Sequence, residues 1–564
     1  MNKMNMKRIL AAMLLPLAVI SCNVLDFDET SGLKTKEDMY RYFTSAESML
    51  TNVYSYMPKD LGTVSGAMRD AACDDAEYGN TSGKVQYFNN GSWSAVNTVD
   101  NAWGLYAGIR AANAFIRDIE TLDLSRYEYN GQYQNWLKKL AFFPYEARVL
   151  RAHYFFELAR RYGDIAMPLE VLDAQGANTI AKTPFDKVIE FIVAECDECA
   201  ENLPESYKNQ PGQQIGRVTR GFALAVKSKA LLYAASPLHN PDGDNSRWLA
   251  SAKAALDIIN SGAYVLEKTE SANNIASKET VMMVIGTDNS NFELNNFPIR
   301  FTEGKRSGAT ATFPSQNLVD AFETVNGYSV TLTDIGWKSD DPDFDPAYPY
   351  SGRDPRFYRS ILANGMSFKG SVIEVWEGGR DCQEVISGGT PTGYFLRKYI
   401  QETTSFVPDK LVTNKHHWIV YRYAETLLTY AESMANAFPE NMEYTDADFP
   451  YSALWALNQV RINAGMPEIP ACGYDEFITR LRNEWRVEFA FEDHRFWDVR
   501  RWKIGAETQR ELRGVNVRKN EDGSFSYYRQ VYENRKWADK MYFYPIPQSE
   551  LFKNNNLYPQ NIGW

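Results

Sequence analysis

The sequence contains few cysteines and few histidines for its length. Among 564 residues there are six cysteines and five histidines. Six cysteines are too few for a disulfide framework in a chain of this size. Cys196 and Cys199 have the spacing of a metal or redox motif, but the chain has no second pair of this kind and no paired histidines. Because the pair lies in the helical pattern FDKVIEFIVAECDECAENL, we predict that both thiols pack inside the protein.

Positive charge is in deficit throughout the chain. The 60 Lys and Arg residues are outnumbered by 72 Asp and Glu residues, the formal net charge is −12, and no basic block follows the first eight residues. Nucleic-acid binding requires a cationic footprint against phosphates, so this function class is excluded. The sequence also lacks a P-loop, GxGxxG or GxSxG motif in a strand-to-helix context.

Only the N-terminus carries a continuous apolar run, and that run is short. Lys3, Lys7 and Arg8 precede the apolar residues 9–20. A helix of this length rises about 18 Å, well short of the roughly 30 Å hydrocarbon core of a membrane. No later run reaches about 18 apolar residues. The segment is therefore typical of an export signal, and the rest of the chain is predicted to lie outside the cytoplasm.

The export signal ends in a small residue followed by cysteine, VIS-Cys22. This pattern resembles a bacterial lipobox, at which the signal is removed and the cysteine becomes the lipidated first residue. An ordinary signal peptide with a chance cysteine is the alternative. We predict a signal peptide over residues 1–21 and a single domain over residues 22–564. Several acyl chains on Cys22 would anchor that domain stably to a membrane.

Helical periodicity covers most of the chain on either side of a central segment. Apolar residues recur at three- and four-residue steps in PYEARVLRAHYFFELARRYGD and in comparable runs at 101–119, 185–203, 219–237, 247–262, 418–436, 452–465 and 474–493. This pattern predicts a mainly α fold, in which tetratricopeptide-like helix pairs form one large body, although no clean 34-residue repeat is present. We place the helical scaffold at about 36–263 and 418–502.

The segment from about 264 to 417 has a different composition. Gly, Pro, Asn and Asp are dense in it, and only short strand-like pieces such as TVMMVIG lie between them. We predict a loop-rich segment that carries small β elements. Loops held on a rigid body are where binding residues usually lie, so this segment is the expected ligand face.

The order of motifs along the chain resembles the SusD-like (RagB/SusD) family of outer-membrane nutrient-binding lipoproteins of Bacteroidetes. The matching pieces include the lipobox, WGLYAGIRAANAFI, EARVLRAHYFFELARRYGDIAM, RVTRGFALAVKSKALLYAASP, GRDPRFYRSI, IVYRYAETLLTYAES, LRNEWRVEFAFEDHRFWDVRRW and FYPIPQSEL. The resemblance implies a helical body with a loop-rich ligand face. It also implies a non-catalytic lipoprotein, anchored in the outer membrane and facing the cell exterior, that captures oligosaccharide and delivers it to a SusC-like TonB-dependent transporter.

Aromatic residues are abundant, at 14% of the chain, and one group of them lies in the polar loop 73–97. Sugar-binding sites need exposed rings for stacking and polar groups for the hydroxyls. We predict Trp93 as a stacking platform; the alternative is that it folds under its own loop. Its predicted polar rim consists of Asp74, Asp75, Tyr78 and Asn97. By contrast, Trp103 begins an apolar helical stripe and is predicted to lie in the core.

A second candidate region lies in the loop-rich segment. Trp337 and Trp376 stand between glycines and charged residues, and Arg380 offers forked donors to vicinal hydroxyls. The family's ligand face uses these stretches of chain, but its binding residues vary between members.

An acidic run near Trp337 raises the question of a metal ion. Its carboxylates could hold Ca²⁺ through oxygen ligands, yet the run lacks the glycine and glutamate of a helix–loop–helix calcium site. A solvated loop is favoured, and no cofactor is predicted. The run consists of Asp340, Asp341, Asp343 and Asp345.

The stretch EFAFEDHRFWDVRRW, residues 488–502, concentrates charged and aromatic side chains. We interpret it as scaffold, because nothing nearby indicates a glycine-lined cleft or a metal partner, and because aromatic burial outweighs surface ion pairs. Just before it, Arg480 and Glu484 lie four residues apart on a predicted helix and are expected to pair.

Two rival functions stay open at the level of sequence. A surface glycoside hydrolase would use two carboxyl groups about 5 to 9.5 Å apart, such as Asp75 with a loop carboxylate. A binding lipoprotein of the same family could instead take a peptide or glycoprotein ligand. The sequence does not indicate which glycan would bind.

Overall fold

The computed structural model describes residues 40–59, 61–208, 214–268, 274–308 and 310–564. The predicted signal peptide and Cys22 lie outside the described residues. Within the described ranges, no helix combines the length and apolar character that a membrane crossing requires.

Helices dominate the two flanks of the chain. The first flank contains α1 (Phe43–Tyr54), α2 (Gln86–Asn90), α3 (Leu105–Ile119), α4 (Tyr133–Leu140), α5 (Phe143–Tyr162), α6 (Ala174–Ala177), α7 (Phe185–Asn202), α8 (Arg220–Ala235) and α9 (Asn245–Ser261). The central segment contains α10 (Asn291–Asn296), α11 (Gln316–Val319) and α12 (Pro355–Ser360). The last part contains α13 (Tyr423–Ala437), α14 (Ala453–Ala464), α15 (Tyr474–Glu488), α16 (Arg495–Arg501), α17 (Gly505–Thr508) and α18 (Gln548–Lys553).

The long helices pack on one another nearly in chain order. α1 packs on α3, α3 on α5, α5 on α7, α7 on α8, α8 on α9, α9 on α13, and α13 on both α14 and α15. Gly108 in α3 permits one close approach, because a Cβ there would lie 2.9 Å from Tyr56 and 3.1 Å from Tyr154. Neighbour-to-neighbour packing of this kind is typical of helical-repeat proteins, and the predicted mainly α fold of tetratricopeptide-like pairs is confirmed.

The β structure of the described chain consists of two-stranded antiparallel pairs. The strands are β1 (Thr63–Val64), β2 (Ala67–Met68), β3 (Ala76–Tyr78), β4 (Ile165–Ala166), β5 (Lys182–Thr183), β6 (Thr280–Val284), β7 (Thr312–Pro314), β8 (Val330–Thr333), β9 (Gly336–Ser339), β10 (Ile361–Leu362), β11 (Ser367–Phe368), β12 (Ser371–Val372), β13 (Phe395–Leu396), β14 (Trp418–Arg422), β15 (Glu511–Lys519) and β16 (Phe525–Asn534). The pairs are β1–β2, β3–β7, β4–β5, β6–β14, β8–β9, β10–β13, β11–β12 and β15–β16. The central segment therefore carries the small β elements that the sequence predicts.

Two predicted helices have different bounds in the structure. The run 418–436 begins with strand β14, which pairs with β6, and becomes helical only at Tyr423. The run 474–493 is helical only to Glu488. The chain then turns, with Phe491 and Asp493 at positive φ, before α16 begins at Arg495. A continuous apolar run such as WIVYR fits a strand as well as a helix, so periodicity alone does not separate the two.

A buried ion-pair network joins the helical scaffold to the central segment. Arg422, at the end of β14, donates to Glu279 at 2.8 Å, to Glu488 at 2.7 Å and to Glu492 at 2.8 Å. Arg356, in α12, donates to Glu488 at 2.8 Å. Because buried charges are tolerated only with fixed partners, these contacts hold the two parts of the chain in one arrangement.

The predicted pairing of Arg480 with Glu484 is wrong. Arg480 pairs with Glu476 on the exposed side of α15, at 2.9 Å. Glu484 points to the interior and contacts Arg356 and Arg461. Helical spacing correctly places pairs four residues apart, but tertiary partners decide which pair forms.

Most of the stretch 488–502 is scaffold, as the sequence predicts, but Glu492, Asp493 and His494 also line a cleft between the helices, which the sequence does not indicate. Arg501 of α16 donates to Glu432 of α13, and the Trp502 indole N–H donates to the same carboxylate at 2.7 Å. Arg495 donates to Asp74 at 2.9 Å. These contacts fix α16 between distant segments, and all of the side chains that make them are buried.

Cys196 and Cys199 both face the protein interior on α7. Burial raises the pKa of the Cys196 thiol well above its usual value and that of Cys199 to about 12. A thiol that stays protonated is a poor nucleophile and a poor metal ligand. The predicted packing role is thus confirmed.

Replacing Glu488 with Gln tests the buried network. Arg422 and Arg356 would each lose a carboxylate partner, and we expect the free energy of unfolding to fall by roughly 3 kcal/mol. The exposed Glu190, which pairs with Lys187 on the surface of α7, provides the control substitution Glu190→Gln. Denaturant unfolding of both variants measures the difference, and equal stability of the two variants would contradict the account.

The stability difference between wild type and Glu488→Gln is also expected to depend on pH. Burial alone would raise the pKa of Glu488, but Arg422 and Arg356 outweigh burial and lower it to about 2 from an ordinary value of 4.5. A depressed pKa contributes stability that is present above pH 4.5 and is lost as the pH falls towards 2. We expect the stability gap between wild type and Glu488→Gln to narrow across this window when unfolding is followed at several pH values.

Candidate functional site

The first predicted ligand residue, Trp93, is buried. Only 2% of its surface is exposed, and its ring packs against Phe88, Tyr544 and Trp564 with centroid distances of 4.6, 4.7 and 4.9 Å. The prediction of an exposed stacking platform is therefore wrong, and the alternative, a ring folded beneath its loop, is what the structure contains. Two of its three partners come from the C-terminal tail, a contact that the local sequence does not reveal.

The carboxylates predicted as the rim of Trp93 are buried as well. Asp75 has no exposed surface and lies 2.6 Å from Arg486. Burial would raise the pKa of Asp74, but Arg486 and Arg495 outweigh it and hold that pKa well below its usual range. Both carboxylates therefore act as structural ion-pair partners, which corrects their prediction as sugar contacts.

The remaining rim residues differ in exposure. Tyr78 is buried in β3, so its prediction as an accessible contact is also wrong. Asn97 is exposed, and its side-chain amide donates to the Ser92 carbonyl at 3.3 Å. Of the five residues predicted in this region, only Asn97 reaches solvent.

The two predicted tryptophans of the loop-rich segment have different environments. Trp337, in β9, is 5% exposed beneath Tyr350 and Tyr527, which corrects its prediction as an exposed ring. Trp376 is half-buried, with the Lys519 ammonium 5.1 Å from its ring centroid. Arg380 is exposed and pairs with Glu374 at 2.7 Å.

A short turn brings Trp376 and Arg380 together. The backbone N–H of Gly379 donates to the Trp376 carbonyl at 2.6 Å. The turn therefore carries a half-buried indole and an exposed guanidinium four residues apart in the chain. These two residues retain the exposure that their predicted role requires.

The acidic run near Trp337 is arranged as a loop with an internal amide donor. The side-chain N–H₂ of Asn326 lies 3.2 Å from carboxylate oxygens of Asp341 and Asp343. In the described ranges of the chain, no group of three or more His, Cys, Asp or Glu side chains has a metal-binding arrangement. Asn326 therefore supplies a hydrogen-bond donor to two of the four carboxylates, and Asp341 is buried.

A cleft lies among the scaffold helices, and none of these predicted residues lines it. This central cleft encloses about 520 Å³ between α3, α5, α8, β14 and the segment 492–494. Its aromatic lining residues are Tyr56, Phe156, Phe222, Trp418 and Tyr421. A volume of this size is ordinary for a small-molecule site.

Two side chains of the central cleft have unused hydrogen-bonding groups. Tyr56 and His153 line the cleft, and among the described residues neither the Tyr56 hydroxyl nor a ring nitrogen of His153 has a hydrogen-bond partner. Burial lowers the pKa of His153 to about 4, so the ring is uncharged at neutral pH and has one donor and one acceptor. The cleft therefore offers uncharged hydrogen-bonding groups beside aromatic walls.

The rim of the central cleft has a strained backbone. Asp100 and Ala102 both have a backbone φ of 50°. Residues other than glycine and asparagine rarely adopt this left-handed conformation. Arg161 and Tyr544 hold the Asp100 carboxylate at 2.9 and 3.0 Å. Strain of this kind persists where surrounding contacts fix it, and it is common at binding sites.

Three carboxylates that line the central cleft are poor proton donors. Burial alone would raise the pKa values of Asp100, Glu157 and Glu492, but neighbouring cations outweigh it and hold all three below their usual range. A glycoside hydrolase needs one carboxyl group with a raised pKa as its acid. These three groups are therefore suited to fixing the cleft and not to acid catalysis.

A smaller side cleft lies on the other side of the α3 N-terminus. It encloses about 330 Å³ and contains the half-buried rings of Trp103 and Tyr106, whose centroids are 5.0 Å apart. Trp103, which is predicted to lie in the core, packs against the core but is only partly buried, and it also lines this cleft. The Tyr106 hydroxyl donates to the Ala166 carbonyl at 3.1 Å.

Comparison with known proteins gives consistent matches along most of the chain. A model of the SusD family matches residues 270–564. The chain is 23% identical to "SusD-like protein P2" of Formosa agariphila over 561 residues, which covers 97% of this chain and 98% of that protein. A crystal structure of a SusD-like protein from Bacteroides fragilis superposes with a TM-score of 0.74 at 25% identity, covering 93% of this chain and 98% of that one.

A second solved structure is also similar. It is the structure of a SusD-like carbohydrate binding protein, also from Bacteroides fragilis. Its TM-score is 0.71 at 23% identity, with coverage of 92% of this chain and all of that one. At this identity the likeness concerns the fold.

The substitution Trp93→Ala tests the reassignment of Trp93 to the core. Removing a buried indole leaves a cavity, and we expect the free energy of unfolding to fall by about 3–5 kcal/mol. Trp376→Ala, at a half-buried ring, is the matched control and is expected to cost less than half as much. Chemical denaturation provides both values, and a stability unchanged by Trp93→Ala would show that the ring is not part of the core.

Proposed function

Because the chain belongs to the SusD family, we propose that it is a cell-surface glycan-binding lipoprotein that captures oligosaccharide and delivers it, uncut, to a SusC-like TonB-dependent transporter. Proteins of this family are associated with the outer membrane. We propose that Cys22 carries the lipid anchor, with the domain facing the cell exterior. The carbohydrate-binding relative among the solved structures supports the ligand class.

The central cleft is the observation that carries this proposal. Sugars present flat CH faces, which pack on aromatic rings, and hydroxyl groups, which need both donors and acceptors. The cleft supplies aromatic walls together with the unused hydroxyl of Tyr56 and the uncharged ring of His153. The aromatic walls match the CH faces of a sugar, and the uncharged polar groups match its hydroxyl groups.

The state of the carboxylates favours binding over hydrolysis. Asp75, which a hydrolase would use in the alternative function, is fully buried and paired with Arg486. In the central cleft, Asp100, Glu157 and Glu492 keep depressed pKa values. A non-catalytic role therefore agrees better with the geometry than a surface glycoside hydrolase.

Contacts outside the central cleft belong to the same proposal. Trp376, Arg380 and Asn97 reach solvent and could bind further sugar units of a longer chain. Trp376 offers a ring edge, and Arg380 offers guanidinium donors once its contact with Glu374 is shared.

Substituting Tyr56 with Phe tests the proposed site. The change removes only the hydroxyl, which has no partner among the described residues, so the fold is retained and one sugar contact is lost. We expect the affinity for the bound oligosaccharide to fall about 5-fold, or roughly 1 kcal/mol. Titration calorimetry with a panel of neutral and charged glycans and of peptides measures this change.

The control for this experiment is Tyr129→Phe, because Tyr129 is 94% exposed and lines neither the central cleft nor the side cleft. Its affinity should equal that of wild type. A ligand that binds wild type and Tyr56→Phe equally would place the site elsewhere. New reducing ends in the incubation would overturn the non-catalytic role, and binding of peptides alone would overturn the glycan assignment.

The substitution Cys22→Ala tests the anchor. Without the cysteine there is no acceptor for the acyl chains, so we expect the exported protein to leave the membrane fraction. Fractionation of cells that express each form, followed by immunoblotting, measures the distribution. Full membrane retention of Cys22→Ala would contradict lipid anchoring.

A further inference from the structure

Charged side chains line the central cleft in equal numbers of each sign. Four cations and four anions contribute to its walls: Arg69, Arg160, Arg161, Lys229, Asp100, Glu157, Glu492 and Asp493. A cleft that recruits an anionic ligand usually presents a surplus of unpaired cations. The pairing of these eight groups therefore decides which ligands the cleft accepts.

The three arginines of the cleft are engaged by carboxylates within it. Arg161 lies 2.9 Å from both Asp100 and Glu157. Arg160 lies 2.6 Å from Glu157, and both arginines are at least nine-tenths buried. Arg69 contacts Asp100 and Asp493 together. An anion that bound Arg69 or Arg161 would compete with two carboxylates, and one that bound Arg160 would compete with Glu157.

The other two charged groups have partners just outside the lining. Lys229 lies 2.9 Å from Glu425, a buried carboxylate of α13. Glu492 lies 2.6 Å from Lys398 and 2.8 Å from Arg422. All eight charges are thus compensated by protein groups.

Breaking such a pair is unfavourable for a ligand. A carboxylate or sulfate that displaced Glu157 from Arg160 would leave a buried anion without its partner. An anion that displaced nothing would meet the four anions as well as the four cations, so it would gain no net attraction to offset the loss of its own hydration. A neutral hydroxyl incurs neither cost.

The unused hydrogen-bonding side chains are themselves uncharged. Tyr56 presents a phenol, and His153 presents a neutral imidazole. Each can both donate to and accept from a sugar hydroxyl. The Nε of Arg160 is buried without a partner, but it belongs to a guanidinium that Glu157 already neutralises.

We propose that the central cleft selects uncharged sugar units and rejects units that carry a uronate or sulfate group. This inference rests on the proposed glycan-binding function and adds the substrate class to it. It concerns the groups that enter the cleft, while charged units elsewhere on a longer chain remain free in solvent.

The test uses pairs of probes that differ only in charge. Neutral gluco-, manno- and galacto-oligosaccharides are compared with the same compounds oxidised at C6 to uronates and with their 6-O-sulfates, by calorimetry at pH 7. For the backbone that binds, we expect the neutral form to bind at least 10-fold more tightly than either charged form. We also expect its affinity to change less than 2-fold between 50 and 500 mM NaCl, since no net charge is neutralised.

Two outcomes separate this inference from the proposed function. Binding of uronates or sulfates as tight as that of the neutral form would overturn the selectivity and leave the glycan-binding function standing. Absence of binding by every glycan, charged or neutral, would overturn the function itself and the inference with it.

A variant that leaves one cation of the cleft without its carboxylate partner tests the inference independently. Glu425→Gln removes the partner of Lys229, which is the most accessible cation of the cleft. We expect this variant to gain at least 10-fold in affinity for the uronate form, whereas Glu190→Gln, which releases the exposed Lys187 far from the cleft lining, should not. If Glu425→Gln does not fold, as judged by circular dichroism, the wild-type probe pairs alone decide the question. A folded variant with no gain would contradict the inference.

Discussion

Buried ion pairing around Arg422 is the constraint on which the rest of the structure depends. This guanidinium joins Glu279, which precedes β6, to Glu488, the last residue of α15, and to Glu492, which follows that helix. Charges this deeply buried are stable only when every partner is in place. The network therefore fixes β14 and the segment 492–494 against the scaffold helices, and these same elements frame the central cleft.

For function, the consequence is a site whose charged side chains are already paired with one another or with neighbouring protein groups. Binding energy is lost when side chains must be ordered or ion pairs broken on association, so a cleft held by internal pairs loses little of it. What the cleft leaves available, the phenol of Tyr56, the neutral ring of His153 and several aromatic walls, is suited to gripping a hydroxylated ligand. Carboxylates with depressed pKa values offer no proton for bond cleavage. These features are the grounds on which we propose capture without chemistry.

Much of the fold could be predicted from sequence, because helix periodicity and motif order are local properties. The site could not, for reasons that particular residues make clear. Trp93 sits in a polar loop, yet Tyr544 and Trp564, more than 400 residues later, cover its ring. The central cleft is assembled from segments as distant as Tyr56 and His494, so no single stretch indicates it. Trp376 and Arg380 kept their predicted exposure because one short turn holds both.

A crystal structure with a bound oligosaccharide would test the central claim most directly. The account predicts density for a sugar unit inside the central cleft, with hydroxyl groups within hydrogen-bond distance of the Tyr56 oxygen and a His153 ring nitrogen. The ion pairs of Arg160 and Arg161 should be unchanged from the structure described above. Sugar density confined to the surface at Trp376, with the cleft occupied by water alone, would contradict the account.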